Sequence, residues 1–207
     1  MTIQADRNAP RPRALAYSGP VADPRGLAVA AQVLIGVQGA AQLAVAVAGG
    51  TRSELFSRYV PIAGPLFIAT IVVFLCWFRR CRLNAEHFAP GAHKHSAGAA
   101  VWAWFVPGPM WWIPRRVALD VWRANAPAGG AWLIDAWWVA WLGKSVGAAI
   151  LIELGAARPY AYSPPDATVG VVAAVLAILV IRRITARQHA AVGAEMASLP
   201  FARAASR

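Results

Sequence analysis

The chain has 207 residues, 58% of them hydrophobic and 14% charged, with a mean hydropathy of +0.48. Those values lie outside the range of soluble domains and indicate an integral membrane protein. A formal charge of +11 would point to nucleic acid in a soluble chain. Here the arginines sit at the ends of apolar runs, where positive-inside topology places them, so no nucleic-acid partner is expected. Arginine far outnumbers lysine and alanine is abundant, the usage of a GC-rich bacterial genome; the expected location is a bacterial plasma membrane.

Residues 1–25 carry Arg7, Arg11, Arg13 and Arg25, several prolines and no hydrophobic period. They read as a disordered basic cytosolic tail. The apolar run 26–48 matches the roughly 20 residues that one crossing needs. Ala46-Val47-Ala48 resembles a signal-peptidase site, but the run is long for a signal sequence and holds Gln32, Gln38 and Gln42, so an uncleaved helix is expected. Gly36, Gly39 and Ala40 form a small-residue surface for close helix approach. Gln38 and Gln42 share a face one turn apart, expected to point into the bundle because amides facing lipid lack partners.

Gly49–Tyr59 reads as a short outer loop. Pro61 and Pro65 open the second span, about 60–80, where a missing backbone donor does least harm. An amphipathic extension carries that helix to about Phe88, and Pro90-Gly91 ends it. Cys76 and Cys81 lie ~7.5 Å apart in height and ~140° apart around this helix, which excludes a disulfide between them and leaves free thiols.

Nine of the ten tryptophans fall between Trp102 and Trp141. The apolar segment 99–113 is short for a crossing and is broken by Pro107-Gly108-Pro109, so it reads as re-entrant or interfacial. With four crossings the cytosolic side holds sixteen basic residues and the outside three; a fifth crossing would erase that bias. After Pro114, residues Val117, Ala118, Val121 and Trp122 share one face and Arg116, Asp120 and Arg123 the other, the pattern of a short helix lying in the interface. The third span is 132–153, with Trp132, Trp137 and Trp138 as an aromatic belt. The fourth is 167–182, stopped by Arg182-Arg183, with 183–207 a basic cytosolic tail. The expected fold is an all-α integral membrane protein: four transmembrane helices within 26–182, a Pro/Trp-rich re-entrant or interfacial segment within 99–125, a short amphipathic interfacial helix, and both termini cytosolic.

Trp77-x-x-Arg80-x-x-x-Asn84 closing a membrane helix, Trp104-Phe105-Val106-Pro107 followed by Pro114, and an acidic residue with Trp122 ahead of a polar turn together resemble a bacterial membrane-protein family, domain of unknown function 4328. The resemblance covers about 60–182. It implies about four helices and carries no established activity. Similar sequences often have an Asn shortly after the first proline; Gly108-Pro109-Met110 stands here, so no role for that Asn carries over.

Trp77, Arg80 and Asn84 lie on one helical face at the cytosolic boundary. With Pro107, Pro114 and Trp122 they form the candidate structural or partner face. Arg80 is expected to donate to the carbonyls around Pro107-Gly108-Pro109 and dock the Trp102–Trp122 segment, with Arg79 and Arg82 mattering less. His87, His93, His95 and Cys81 read as a solvated loop rather than a metal site; no metal or cofactor is expected. Lys144 sits near the middle of the third span, and an intramembrane cation is a candidate functional group. Asp135 and Glu153 are each nine residues away on the opposite side of the helix, so Gln38 or Gln42 is its expected partner. Hydrolase, metalloprotease and phosphate-loop motifs are missing from the sequence, so the protein is not expected to be an enzyme. The first functional expectation is a non-enzymatic scaffold or accessory subunit acting through a cytosolic Arg/Trp surface. The alternative is a transporter or channel subunit organised around Lys144, Gln38 and Gln42. The expected partners are the lipid bilayer and another membrane protein or a second copy of this chain.

Overall fold

The computed structural model describes residues 21–125, 129–155 and 162–198. Most of the expected N-terminal tail and the last nine residues lie outside them, as do parts of the turn at 127–130 and of the outer loop at 155–165. The described residues form helices and turns without strands. Three helices are long and apolar enough to cross a membrane: α1 (Arg25–Val47), α2 (Glu54–Phe88) and α7 (Pro164–Ser198). The run Trp132–Glu153 is also helical but is divided into α5 (Trp132–Leu142), a π-helical turn (Gly143–Gly147) and α6 (Ala148–Glu153). Between α2 and α5 lie α3 (Ala99–Trp102), a 3-10 turn (Pro109–Trp111) and α4 (Ile113–Asn125).

Two helix boundaries differ from expectation. The outer loop is shorter and α2 starts earlier, because Ser53 caps it: its Oγ accepts the Phe56 N–H at 3.1 Å and Glu54 opens the first turn. Such a hydroxyl satisfies an otherwise orphaned donor. Pro61 and Pro65 therefore fall inside the helix rather than at its start. At the other end of the chain, α7 does not stop at Arg182-Arg183. It runs on to Ser198, because Ile184, Thr185, Gln188 and Val192 are buried and continue its packed face. The end of α2 at Phe88 and the extent of α1 agree with the sequence reading.

Helix α1 packs against both α7 and α2. Gly39 permits part of this approach: a Cβ there would stand 3.5 Å from Ala174 Cβ of α7. Many large apolar residues of the three long helices are exposed on the isolated chain, including Val29, Val33, Phe67, Ile68, Val72 and Val172, a pattern suited to helices that face lipid. The dense core lies instead at one end, where α2, α3, α4, α5 and α7 meet.

Trp104 is the centre of that core. Its ring lies 5.6 Å from Phe74, 6.3 Å from Phe78, 6.3 Å from Trp137, 5.9 Å from Trp138 and 5.3 Å from Trp141, mostly in edge or tilted geometries. Those geometries match the ring quadrupoles. Trp137 and Trp138 are consequently buried at 5% and 4% exposure, not an interfacial belt; Trp132, at 68%, keeps an outward position. The reason is that segment 99–113 folds against the bundle and inserts Trp104 among them.

Candidate functional site

Two polar systems stand out, one at each end of the aromatic core. The first joins α2 to α7 and to the stretch before α1. Trp77 is 1% exposed and donates through Nε1 to Thr185 Oγ1 at 3.0 Å. Asn84, also 1% exposed, donates through Nδ2 to Ala22 O at 2.9 Å and to Gln188 Oε1 at 3.1 Å. Its Oδ1 accepts Ala22 N–H at 3.4 Å. Gln188 Nε2 donates to Cys81 O at 2.8 Å. Each of these buried polar groups therefore has a partner, which is the condition for burying them at modest cost. Asp23 and His189 add an outer tie at 3.1 Å. Burial pushes the Asp23 carboxyl up, but hydrogen bonds from Arg25 backbone and side chain, with the charges of Arg25 and His189, outweigh it and hold the group below its ordinary value.

Trp77 and Asn84 thus share a face, but it docks α7 and residue 22 rather than the Trp102–Trp122 segment. Arg80 is half-buried and makes no hydrogen bond or ion pair among the described residues. The carbonyls it was expected to satisfy find local donors: Val106 O accepts Met110 N–H at 3.1 Å, Gly108 O accepts Trp111 N–H at 3.0 Å and Pro109 O accepts Trp112 N–H at 3.2 Å. Gly108, at φ +90°, lets the chain turn tightly enough for those bonds. Pro107 is exposed and Pro114 buried, at the second residue of α4.

The α2 arginine that holds a carbonyl beyond its own helix is Arg82, at His95 rather than around Pro107-Gly108-Pro109. It is 2% exposed, donates through Nη2 to His95 O at 2.5 Å and places Nη1 2.8 Å from Glu86 Oε2. Phe74, Phe78 and Arg82, spaced four apart, form the α2 stripe that meets segment 95–113. His93 Nε2 bonds to Ala85 O at 2.9 Å and Gly91 N–H donates to Glu86 Oε1 at 3.2 Å, so the His-bearing loop is folded back on α2. Both cysteines are free, Cys76 exposed and Cys81 buried.

Trp122 is buried by contacts within the chain. Its Nε1 donates to Gly129 O at 3.1 Å, and the Arg187 guanidinium stacks 3.9 Å over its ring. Gly130, at φ +81°, permits the approach: a Cβ there would lie 3.0 Å from the indole. Arg115 pairs with Asp135 at 2.7 Å, joining α4 to α5.

The second system lies at the end of the bundle where α7 begins. Lys144 is not paired with a glutamine. Its Nζ lies 2.5 Å from Asp166 Oδ2 in the first turn of α7, where a carboxylate is also favoured by the helix dipole. The stem of Lys144 reaches α7 past Gly170: a Cβ on that glycine would stand 3.6 Å from Lys144 Cε and 3.5 Å from Gln42 Oε1. Lys144 sits within the π-helical turn, a local widening that often accompanies functional positions.

These groups border a cavity of about 430 Å³. Gln38, Gln42, Lys144, Ser145 and Thr70 supply its polar lining. Phe67, Phe74, Trp104, Phe105, Trp137 and Trp141 supply aromatic walls. The structure therefore brings the three intramembrane polar residues of the sequence reading to one site, and separates them from the Trp77–Asn84 face. Asp166, Thr185, Gln188 and Trp104 were the residues that sequence reasoning missed.

A model of the family described as Domain of unknown function (DUF4328) matches residues 26–186, and the chain belongs to that family. No curated protein and no solved structure matches it.

Proposed function

We propose that this is a non-enzymatic, four-span bacterial plasma-membrane protein with cytosolic termini, and that it takes a small amphipathic ligand into its helical bundle as a carrier or transporter subunit. The observation that carries the reading is the cavity. Its volume of about 430 Å³ falls within the range of small-molecule sites, which are apolar pockets with a few convergent polar groups. Here Gln38, Gln42 and Lys144 lie on α1 and the π-helical turn, and aromatic rings fill the other wall. A ligand with an apolar body and a polar or anionic head matches that division. The scaffold reading loses support, because Trp77, Asn84 and Trp122 are engaged within the chain.

Four spans require the π-interrupted run 132–153 to cross with the three long helices. The Arg-rich cytosolic bias supports this topology. Cysteines placed at Ser53 and Ser96 in a cysteine-free background test it: an impermeant thiol reagent should label Ser53→Cys in intact cells and not Ser96→Cys. The ligand reading is tested in nanodiscs with a brominated medium-chain fatty acid, whose bromine quenches nearby indoles. Saturable quenching that weakens in Lys144→Met and Gln42→Leu is expected. Unsaturable quenching, equal in all three proteins, would refute it.

A further inference from the structure

At the opposite end of the molecule, outside that cavity, we infer a second site: a basic pocket between the His-bearing loop and α4 that binds a phosphate group, as presented by an anionic lipid headgroup or a soluble phosphate. The pocket holds about 200 Å³ and is bounded by Lys94, His95, Arg116, Leu119, Asp120 and Arg123. Arg116, Leu119, Asp120 and Arg123 are one face of α4, at i, i+3, i+4 and i+7. The opposite face is buried through Val117, Ala118, Val121 and Trp122. The helix is therefore fixed, and its polar face is presented outward.

The loop wall is fixed as well. Arg82 holds His95 by its carbonyl, and His93 is bonded to Ala85 O. Lys94, lying between these two anchored residues, is carried to the rim of the pocket. Lys94, Arg116 and Arg123 are exposed and make no hydrogen bond or ion pair among the described residues. Three unneutralised cations thus face one recess that contains a single carboxylate.

A further sign marks the recess as unfinished. His95 Nε2 and Asp120 Oδ2 are withdrawn from solvent and without a hydrogen bond among the described residues. Buried polar atoms are ordinarily paired, and these two, one on each wall of the recess, suit a ligand that offers both an acceptor and a donor. A phosphate oxygen accepts from His95 and from the three cations. A phosphate hydroxyl, or a headgroup hydroxyl or ammonium beside it, donates to Asp120. Guanidinium groups suit this ligand because they grip phosphate oxygens through charge-assisted, often paired, hydrogen bonds. The amphipathic α4 and the exposed Trp111 and Trp112 just before it are features of segments that lie at a lipid headgroup surface.

The test compares wild-type protein, Arg116→Gln/Arg123→Gln, Lys94→Gln and the control Arg79→Gln. Each is placed in phosphatidylcholine nanodiscs with and without phosphatidic acid, and retained lipid is counted by native mass spectrometry. Thermal stabilisation by inorganic phosphate against chloride of equal ionic strength is measured in parallel. Phosphatidic acid retention should fall on the order of tenfold in the double variant, less in Lys94→Gln and little in Arg79→Gln, since neighbouring cations each contribute about a similar increment. If inorganic phosphate stabilises the wild type and not the double variant, a soluble phosphate fills the site; if only phosphatidic acid does, the ligand is a headgroup. Equal behaviour of the double variant and wild type towards both probes, or an equal loss in Arg79→Gln, overturns the proposal. Circular dichroism checks folding; the substituted side chains are exposed, and Lys94→Gln lies outside any helix.

Discussion

The two ends of the bundle bury polar groups in different ways. At the Trp77–Asn84 end, side-chain amides and an indole bond to one another and to backbone atoms across three separate stretches of chain. At the Lys144 end one ion pair and two amides stand beside a cavity of about 430 Å³. Saturated polar networks fix a unique arrangement, whereas incompletely packed ones leave room for change. The first end is built to hold the helices together. The second leaves a cavity, the feature on which the proposed ligand reading rests.

Substitution at the junction gives the largest expected effect. Trp104 is partly buried and touches five aromatic rings from α2 and α5, and about 3–5 kcal/mol, the usual cost of removing a fully buried large aromatic, is the upper bound here. Trp104→Ala should lower the unfolding temperature in detergent more than any other single change here. It should also enlarge the cavity. Unaltered melting would mean that the aromatic core is not the keystone of the fold.

Next comes Asn84→Ala, which strands Ala22 and Gln188. An unpaired buried polar group costs about 1–3 kcal/mol, so the variant should lose a few kcal/mol in a denaturant titration. Gln188→Leu should cost less in that background than in the wild type, because the bond from Asn84 Nδ2 is already gone and only the one to Cys81 O is left to lose. Additive losses in the double variant would show that the two side chains are not coupled.

Arg82→Ala is smaller in global stability and larger locally. The His95 carbonyl loses its donor and Glu86 its partner. Protease cleavage after Lys94 should accelerate in Arg82→Ala and stay near wild type in Arg79→Ala and Arg80→Ala. The opposite order would restore the clamp assigned to Arg80 from the sequence.

That exchange shows what was legible in the chain. Helical period and caps located α1 and the end of α2, and the polar face Arg116/Asp120/Arg123 was plain from spacing. Spacing also identified Trp77 and Asn84 as a shared face, but a face has no address. Its partners Thr185 and Gln188 lie about a hundred positions away, beyond an Arg-Arg pair that reads as the end of a membrane span. Their only local signal is Ile184, Thr185, Gln188 and Val192 at helical spacing. Likewise, Lys144 was legible as an anomaly, while Asp166 fell between an outer loop expected to end at Pro165 and a span expected from 167, and became a partner once α7 began at Pro164.

Lys144→Met sharpens the comparison from the other end. The ion pair is partly exposed, at 28% and 37% for the two side chains, and such pairs contribute no more than about 1 kcal/mol. Melting should therefore change little, while quenching by the brominated fatty acid weakens. A loss of stability matching that of Asn84→Ala would erase the distinction between the two ends.

The smallest effect comes from Asp23, which joins the same two stretches as Asn84 but from outside. Its carboxyl sits 3.1 Å from His189 Nδ1, and both side chains are partly exposed. An exposed pair of this kind contributes about 0–1 kcal/mol. Arg25 and His189 hold the Asp23 carboxyl below its ordinary value despite burial. A depressed carboxyl adds stability that is present above its unfolded value, near 3.9, and is lost as pH falls through the folded one. Asp23→Asn should therefore melt slightly below wild type at neutral pH and coincide with it once the carboxyl is protonated in both states of the wild type. A gap that persists in strong acid would show that shape rather than charge holds the stretch before α1 against α7 at this corner.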